Sequence, residues 1–63
     1  MKRRDLVRHL FDQGCVLVRE GGRHSWWGNP RISARSSVSR HTEIAEQLVR
    51  KICKDLGIEP PRR

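Results

Sequence analysis

The cysteines and histidines of this chain are too few and too scattered for a metal site. Cys15 and Cys53 are its only cysteines, without a CxxC pair, and His9, His24 and His41 show no HExxH spacing. The zinc-finger and dithiol redox patterns are thereby excluded, and no metal or other cofactor is expected. No apolar run is long enough to span a membrane and no segment reads as a signal peptide. The two cysteines are therefore expected as small core residues in a reducing cytoplasm, not as a disulfide. Paired carboxylates and a serine triad are also lacking, and GGRH, residues 21–24, has neither the spacing nor the lysine of a phosphate-binding loop. Any catalysis has to rest on histidine.

Negative charge is scarce as well. The chain has 7 Asp and Glu against 14 Lys and Arg, for a formal net charge of +7. The basic residues occur in every segment instead of forming a tail, so nucleic acid is the first partner to consider. Apolar residues make up 35% of the 63 positions and charged residues 33%. That is a lean core for one domain over residues 1–63, though richer than a disordered chain. A domain so small gains stability from whatever binds its folded state.

Leu6, Val7, Leu10 and Phe11 form one stripe of period 3.6, which predicts a helix from Lys2 to Gln13 ended by Gly14. Cys15 to Arg19, rich in β-branched residues and bounded by glycines, predicts a strand. Its four consecutive apolar residues let either Cys15 and Leu17 or Val16 and Val18 face the core. Gly21-Gly22 turns the chain into a second strand from His24, with His24, Trp26 and Gly28 on one face and Ser25, Trp27 and Asn29 on the other. After a turn at Asn29-Pro30 and a loop over 31–34, Arg35 to Ser39 predicts a third strand.

Thr42 to Leu56 predicts a second helix whose apolar face is Ile44, Ala45, Leu48, Val49, Ile52, Cys53 and Leu56. Thr42 is its expected N-cap, Gly57 ends it, and Ile58 is placed to fold back on Cys53. Pro60 and Pro61 stop the helix, and Arg62 and Arg63 read as a loose tail. Helix, three antiparallel strands and helix make a small two-layer α+β sandwich of double-stranded-RNA-binding-like form. Both helices would cover one face of its sheet and leave the other open.

RNA is a substrate that carries its own nucleophile, because its 2′-hydroxyl can attack the adjacent phosphate and expel the 5′-oxygen. A protein then needs only a group that moves protons near neutral pH and cations that balance the developing charge. Histidine and arginine meet those two needs. His24 is the candidate for the first, and Arg19, Arg23, Arg35 and Arg40, in or beside the expected sheet, for the second. Gly21 and Gly22 would let an RNA backbone approach closely. Either Trp26 or Trp27 could stack an unpaired base while the other fills the core.

The residues alone leave His24 two readings, a partly buried hydrogen-bonded histidine or a proton-transfer group. They leave the whole chain three: a nuclease, an RNA-binding module that blocks translation by occupancy, or a domain that docks an acidic partner.

Nearly the whole chain resembles the HicA-type toxins of bacterial toxin–antitoxin systems. The resemblance rests on MKRRDLVRHL (1–10), GCVLVREGGRHS (14–25), SRHTEI (39–44) and KICKDLGI (51–58). In that pattern a Gly-x-His at the start of the second strand carries the catalytic histidine, here Gly22-Arg23-His24. The resemblance implies a metal-independent mRNA interferase, an endoribonuclease of the bacterial cytoplasm that cleaves mRNA, halts translation and is held inactive by a HicB-type antitoxin. It implies His24 as the catalytic residue, with Gly22, Arg23, Arg19, Trp26, Arg35 and Arg40 expected against RNA.

Two departures from the pattern stand out. The family often has proline where Ser39 precedes Arg40-His41, which leaves the approach to the second helix less rigid here, and many members have serine where Arg23 stands, a change that bears on substrate contacts. His41 is read as orienting the start of that helix.

Overall fold

Hydrophobic periodicity and turn residues are enough to generate most of this architecture. The computed structural model describes residues 1–61; the tail expected at Arg62 and Arg63 lies outside them. Helix α1 (Arg3–Asp12) leads into strands β1 (Val16–Glu20), β2 (His24–Asn29) and β3 (Ala34–Ser39), and helix α2 (Glu46–Asp55) follows. The strands form one antiparallel sheet in the order β1-β2-β3, so β2 is central. This is the expected α+β arrangement, consistent with the double-stranded-RNA-binding-like form.

Leu6 and Leu10 of α1 and Val49, Ile52 and Cys53 of α2 are buried against Trp27 and Val38 of the sheet, joined by Cys15, Ile44 and Leu56. Each helix ends in the same device. Cys15 N–H donates to the Leu10 carbonyl (2.9 Å) and Gly14 N–H to Phe11 (3.0 Å). Likewise, Ile58 N–H donates to Cys53 (2.9 Å) and Gly57 N–H to Lys54 (3.1 Å). These are Schellman pairs, and they return the chain to the core at Cys15 and Ile58.

The start of α2 departs from expectation. Thr42 is not its N-cap; the helix begins at Glu46, with Ala45 in the cap position and no side-chain capping bond. The backbone ahead of it is committed elsewhere. Arg3 N–H donates to the Thr42 carbonyl (2.7 Å), Ile44 N–H donates to the Met1 carbonyl (2.8 Å), and Lys2 bridges Glu43. Groups that would have closed a first helical turn hold the start of α1 instead. The helix is shorter as a result; Ile44 stays buried ahead of it, while Leu48 of the expected apolar face is 45% exposed.

Neither alternative for β1 holds either. Val16, Leu17 and Val18 are all close to half exposed, and only Cys15, just ahead of the strand, is buried. β1 is an edge strand, and its register with β2 shifts between Leu17 and Arg19. Such a bulge breaks the alternation that would have chosen a face.

The β1–β2 turn is closed by Gly21 N–H donating to the His24 carbonyl at 2.8 Å. A Cβ on Gly21 would lie 2.8 Å from that same carbonyl oxygen, whereas one on Gly22 would meet nothing within 4 Å. Gly21→Ala is therefore expected to displace His24 and cost about 1–3 kcal/mol. At roughly 4–8 °C per kcal/mol for a domain this size, thermal unfolding will read the loss clearly. Gly22→Ala should melt within a few degrees of the parent, and equal losses for the two would contradict this account of the turn.

Both cysteines are free and buried. Burial pushes each thiol above its ordinary value of 9.0, and for Cys53 the neighbouring Cys15 adds to the effect. The folded chain thus holds both thiols protonated where the unfolded chain would ionise. This contribution to stability is intact below pH 9.0 and declines as pH rises past it. A thiol reagent at pH 8 should label the native chain far more slowly than the chain in denaturant; fast labelling of both cysteines in the native state would contradict the burial.

Candidate nucleic-acid interface

Alternation along β2 divides the two chemistries of the site. Ser25, Trp27 and Asn29 point into the protein and are buried, while His24 and Trp26 are exposed on the sheet face that neither helix covers. Trp26 is 43% exposed and Trp27 only 7%, so Trp27 fills the core and Trp26 is the tryptophan available to a partner. The residues left that choice open. Pairing across the ladder sets His24 opposite Ser39, Trp26 opposite Ser37 and Gly28 opposite Arg35, with Arg19 opposite Trp26 on the other side. One face therefore carries His24, Trp26, Arg19 and Arg35.

Beneath His24 lies a polar cluster that the sequence reading did not single out. Ser25 is fully buried. Its hydroxyl donates to Glu20 and accepts a bond of 2.9 Å from Arg3 Nη2, while Arg3 Nε donates to the Ser39 carbonyl at 2.9 Å. Arg40 Nη1 completes the set, 3.1 Å from Glu20 Oε1 and 3.4 Å from the Gly21 carbonyl. The start of α1 is thus tied to the residues on either side of His24.

Two signals could have exposed this cluster. Ser25 shares its face with Trp27, and a buried hydroxyl requires a partner. Arg3 stands in the first turn of a helix, where positive charge is disfavoured unless something holds it.

Two adjoining grooves run past His24. Arg23, His24, Ser39, Arg40 and His41 line one, and the other continues from His24 and Ser39 past Trp26, Arg35 and Ser37 to Leu48 and Lys51 of α2. His24 and Ser39 belong to both. Of the expected contact residues, Arg23, Arg35, Arg40 and Trp26 are brought together along this path. Arg19 sits beside it on the same face, and Gly22 at the exposed tip of the turn.

The guanidinium of Arg40 is engaged with Glu20, whereas Arg19, Arg23 and Arg35 form no ion pair among the described residues. His41 lies in the bend after β3, ahead of the start of α2 at Glu46. It is exposed, its N–H is held by Ser39 Oγ at 3.1 Å, and it lines the groove with His24. His9 lies elsewhere, its ring 2.7 Å from the Glu59 carbonyl. Among the described residues no three His, Cys, Asp or Glu side chains gather as metal ligands, and no helix is long and apolar enough to cross a membrane.

An exposed imidazole among guanidinium groups, beside an exposed indole, can exchange protons with a bound phosphate ester and seat a base next to it. No curated protein and no solved structure matches the chain. The family described as the HicA toxin of bacterial toxin-antitoxin matches residues 3–58, which take in both helices, all three strands and His24. The chain belongs to this HicA toxin family, and so is the toxin of a toxin–antitoxin system with a cognate antitoxin as its partner.

Proposed function

We propose that this toxin is a metal-independent endoribonuclease, an mRNA interferase that halts translation in the bacterial cytoplasm, with His24 as its proton-transfer residue. The observation that carries the reading is the exposed imidazole on the open face of the central strand, in a groove with Arg23 and Arg40 and beside Trp26 and Arg35. In the reaction the 2′-oxygen of RNA attacks the adjacent phosphorus, the bond to the 5′-oxygen breaks, and a 2′,3′-cyclic phosphate and a 5′-hydroxyl result. His24 moves protons for this exchange. Arg23 and Arg35 attract the phosphates, with Arg19 beside them, and Trp26 stacks a base next to the scissile link. Gly22, bare at the tip of the turn, leaves the strand's approach open to the RNA backbone.

The same surface suits the antitoxin. A face carrying unpaired guanidinium groups on a chain of net charge +7 favours an acidic partner, and a HicB-type antitoxin seated there would cover His24 and Trp26 together.

The test is cleavage of single-stranded RNA in excess EDTA by the purified toxin and by a His24→Ala variant. Cleavage by the parent and a loss of about 10²- to 10⁴-fold in the variant are expected. Equal cleavage by the two would remove His24 from the chemistry. RNA left intact by both proteins, with salt-dependent binding unchanged by the substitution, would instead support a module that acts by occupancy.

A further inference from the structure

We propose that His24 does not work alone: His24 and His41 form an acid–base pair across one phosphate. This inference rests on the endoribonuclease reading above and adds a second catalytic residue to it. The β2–β3 ladder pairs His24 with Ser39, and a bond from Arg40 N–H to the Arg23 carbonyl (3.2 Å) extends that pairing one step further. His41 comes two residues after Ser39, in the bend that follows β3. Both histidines are exposed, and both line the same groove. The bond from His41 N–H to Ser39 Oγ, and the Arg40–Glu20 pair at 3.1 Å, hold the His41 backbone to the turn that carries His24.

The chemistry gives that placement its meaning. Attacking and leaving oxygens lie roughly in line on opposite sides of the phosphorus. A proton leaves on one side while another is needed on the far side, and each donor or acceptor must stand within about 2.6–3.2 Å of its oxygen. Two imidazoles flanking the phosphate satisfy both demands at once. The neutral imidazole takes the proton of the 2′-hydroxyl as the bond from O2′ to phosphorus forms. The imidazolium gives its proton to O5′ as the bond from phosphorus to O5′ breaks. Atoms and electrons balance without a co-reactant, and exchange with water resets the pair.

Arg23 from the β1–β2 turn and Arg40 after β3 face the same groove, Arg40 partly neutralised by Glu20. Lys2, Arg3 and Arg4 at the start of α1 line an adjoining groove with Arg40 and Thr42. Of these, Arg23, which forms no ion pair among the described residues, is placed to meet the phosphate oxygens that neither attack nor leave, whereas Arg3 is held by Ser25 and the Ser39 carbonyl.

The experiment compares an ordinary RNA with one carrying sulfur in place of the 5′-bridging oxygen at the cleaved link, since a thiolate departs without being protonated. The parent, His24→Ala, His41→Ala and His41→Gln toxins are assayed on both, with circular dichroism to verify folding; both side chains are exposed and their removal leaves the core intact. Losses of about 10²- to 10⁴-fold are expected for each histidine substitution on ordinary RNA. On the sulfur substrate, substitution of one of the two histidines, the general acid, should restore the parental rate, while substitution of the other remains slow. Parental cleavage of ordinary RNA by the His41 variants, or equal losses on both substrates for both histidines, would overturn the pair and leave His24 in place. An inactive parent on both substrates would overturn the endoribonuclease reading and the pair with it.

Discussion

The structure depends on β2 having two different faces and a neighbour on each side. Its pairing with both β1 and β3 fixes the register of six residues, and alternation sends every second one into the core. A slip of one residue would bury His24 and Trp26 and expel Trp27. Each inward residue is held by a different element: Ser25 by Arg3 of α1, Trp27 by the apolar core, and Asn29 by a 2.8 Å bond from its Nδ2 to the Leu56 carbonyl at the end of α2. The outward face can then carry chemistry because the inward face supplies the rigidity.

Within that division the cluster of Arg3, Ser25, Glu20 and Arg40 links fold to site. The ion pair between Arg40 and Glu20 is about half exposed on both sides, so its own contribution to stability is small, at most about 1 kcal/mol. The Ser25 hydroxyl is different, because it is fully buried and would cost about 1–3 kcal/mol if left without a partner. Arg3 satisfies it while also binding the Ser39 carbonyl, so a residue from the first helical turn joins the two strands that position His24.

The order of elements, the helix ends at Gly14 and Gly57, and the separation of His24 from Ser25 onto opposite faces were all legible in the sequence. Each depends on local periodicity or on a residue type that a particular backbone geometry demands. What escaped the reading depends on contacts between distant segments. Thr42 followed by acidic residues looks like a capped helix unless the bridge from Lys2 to Glu43 is known, and the β1 bulge leaves no trace in a run of valines and leucine. Ser25 and Asn29 find their partners 22 and 27 residues away, beyond the reach of any local pattern. For the same reason alternation separated the two tryptophans without revealing which of them was inside.

The central claim is that the toxin meets RNA on the open face of β2. It is tested most directly by mapping backbone amide shifts of an isotope-labelled toxin on addition of a short RNA with a 2′-deoxy residue at the target link, which binds without being cut. The account predicts shifts gathered at Arg23, His24, Trp26, Arg35, Arg40 and His41, with the outward side of α1 around Phe11 unchanged. Shifts concentrated on α1, with His24 and Trp26 unmoved, would contradict it.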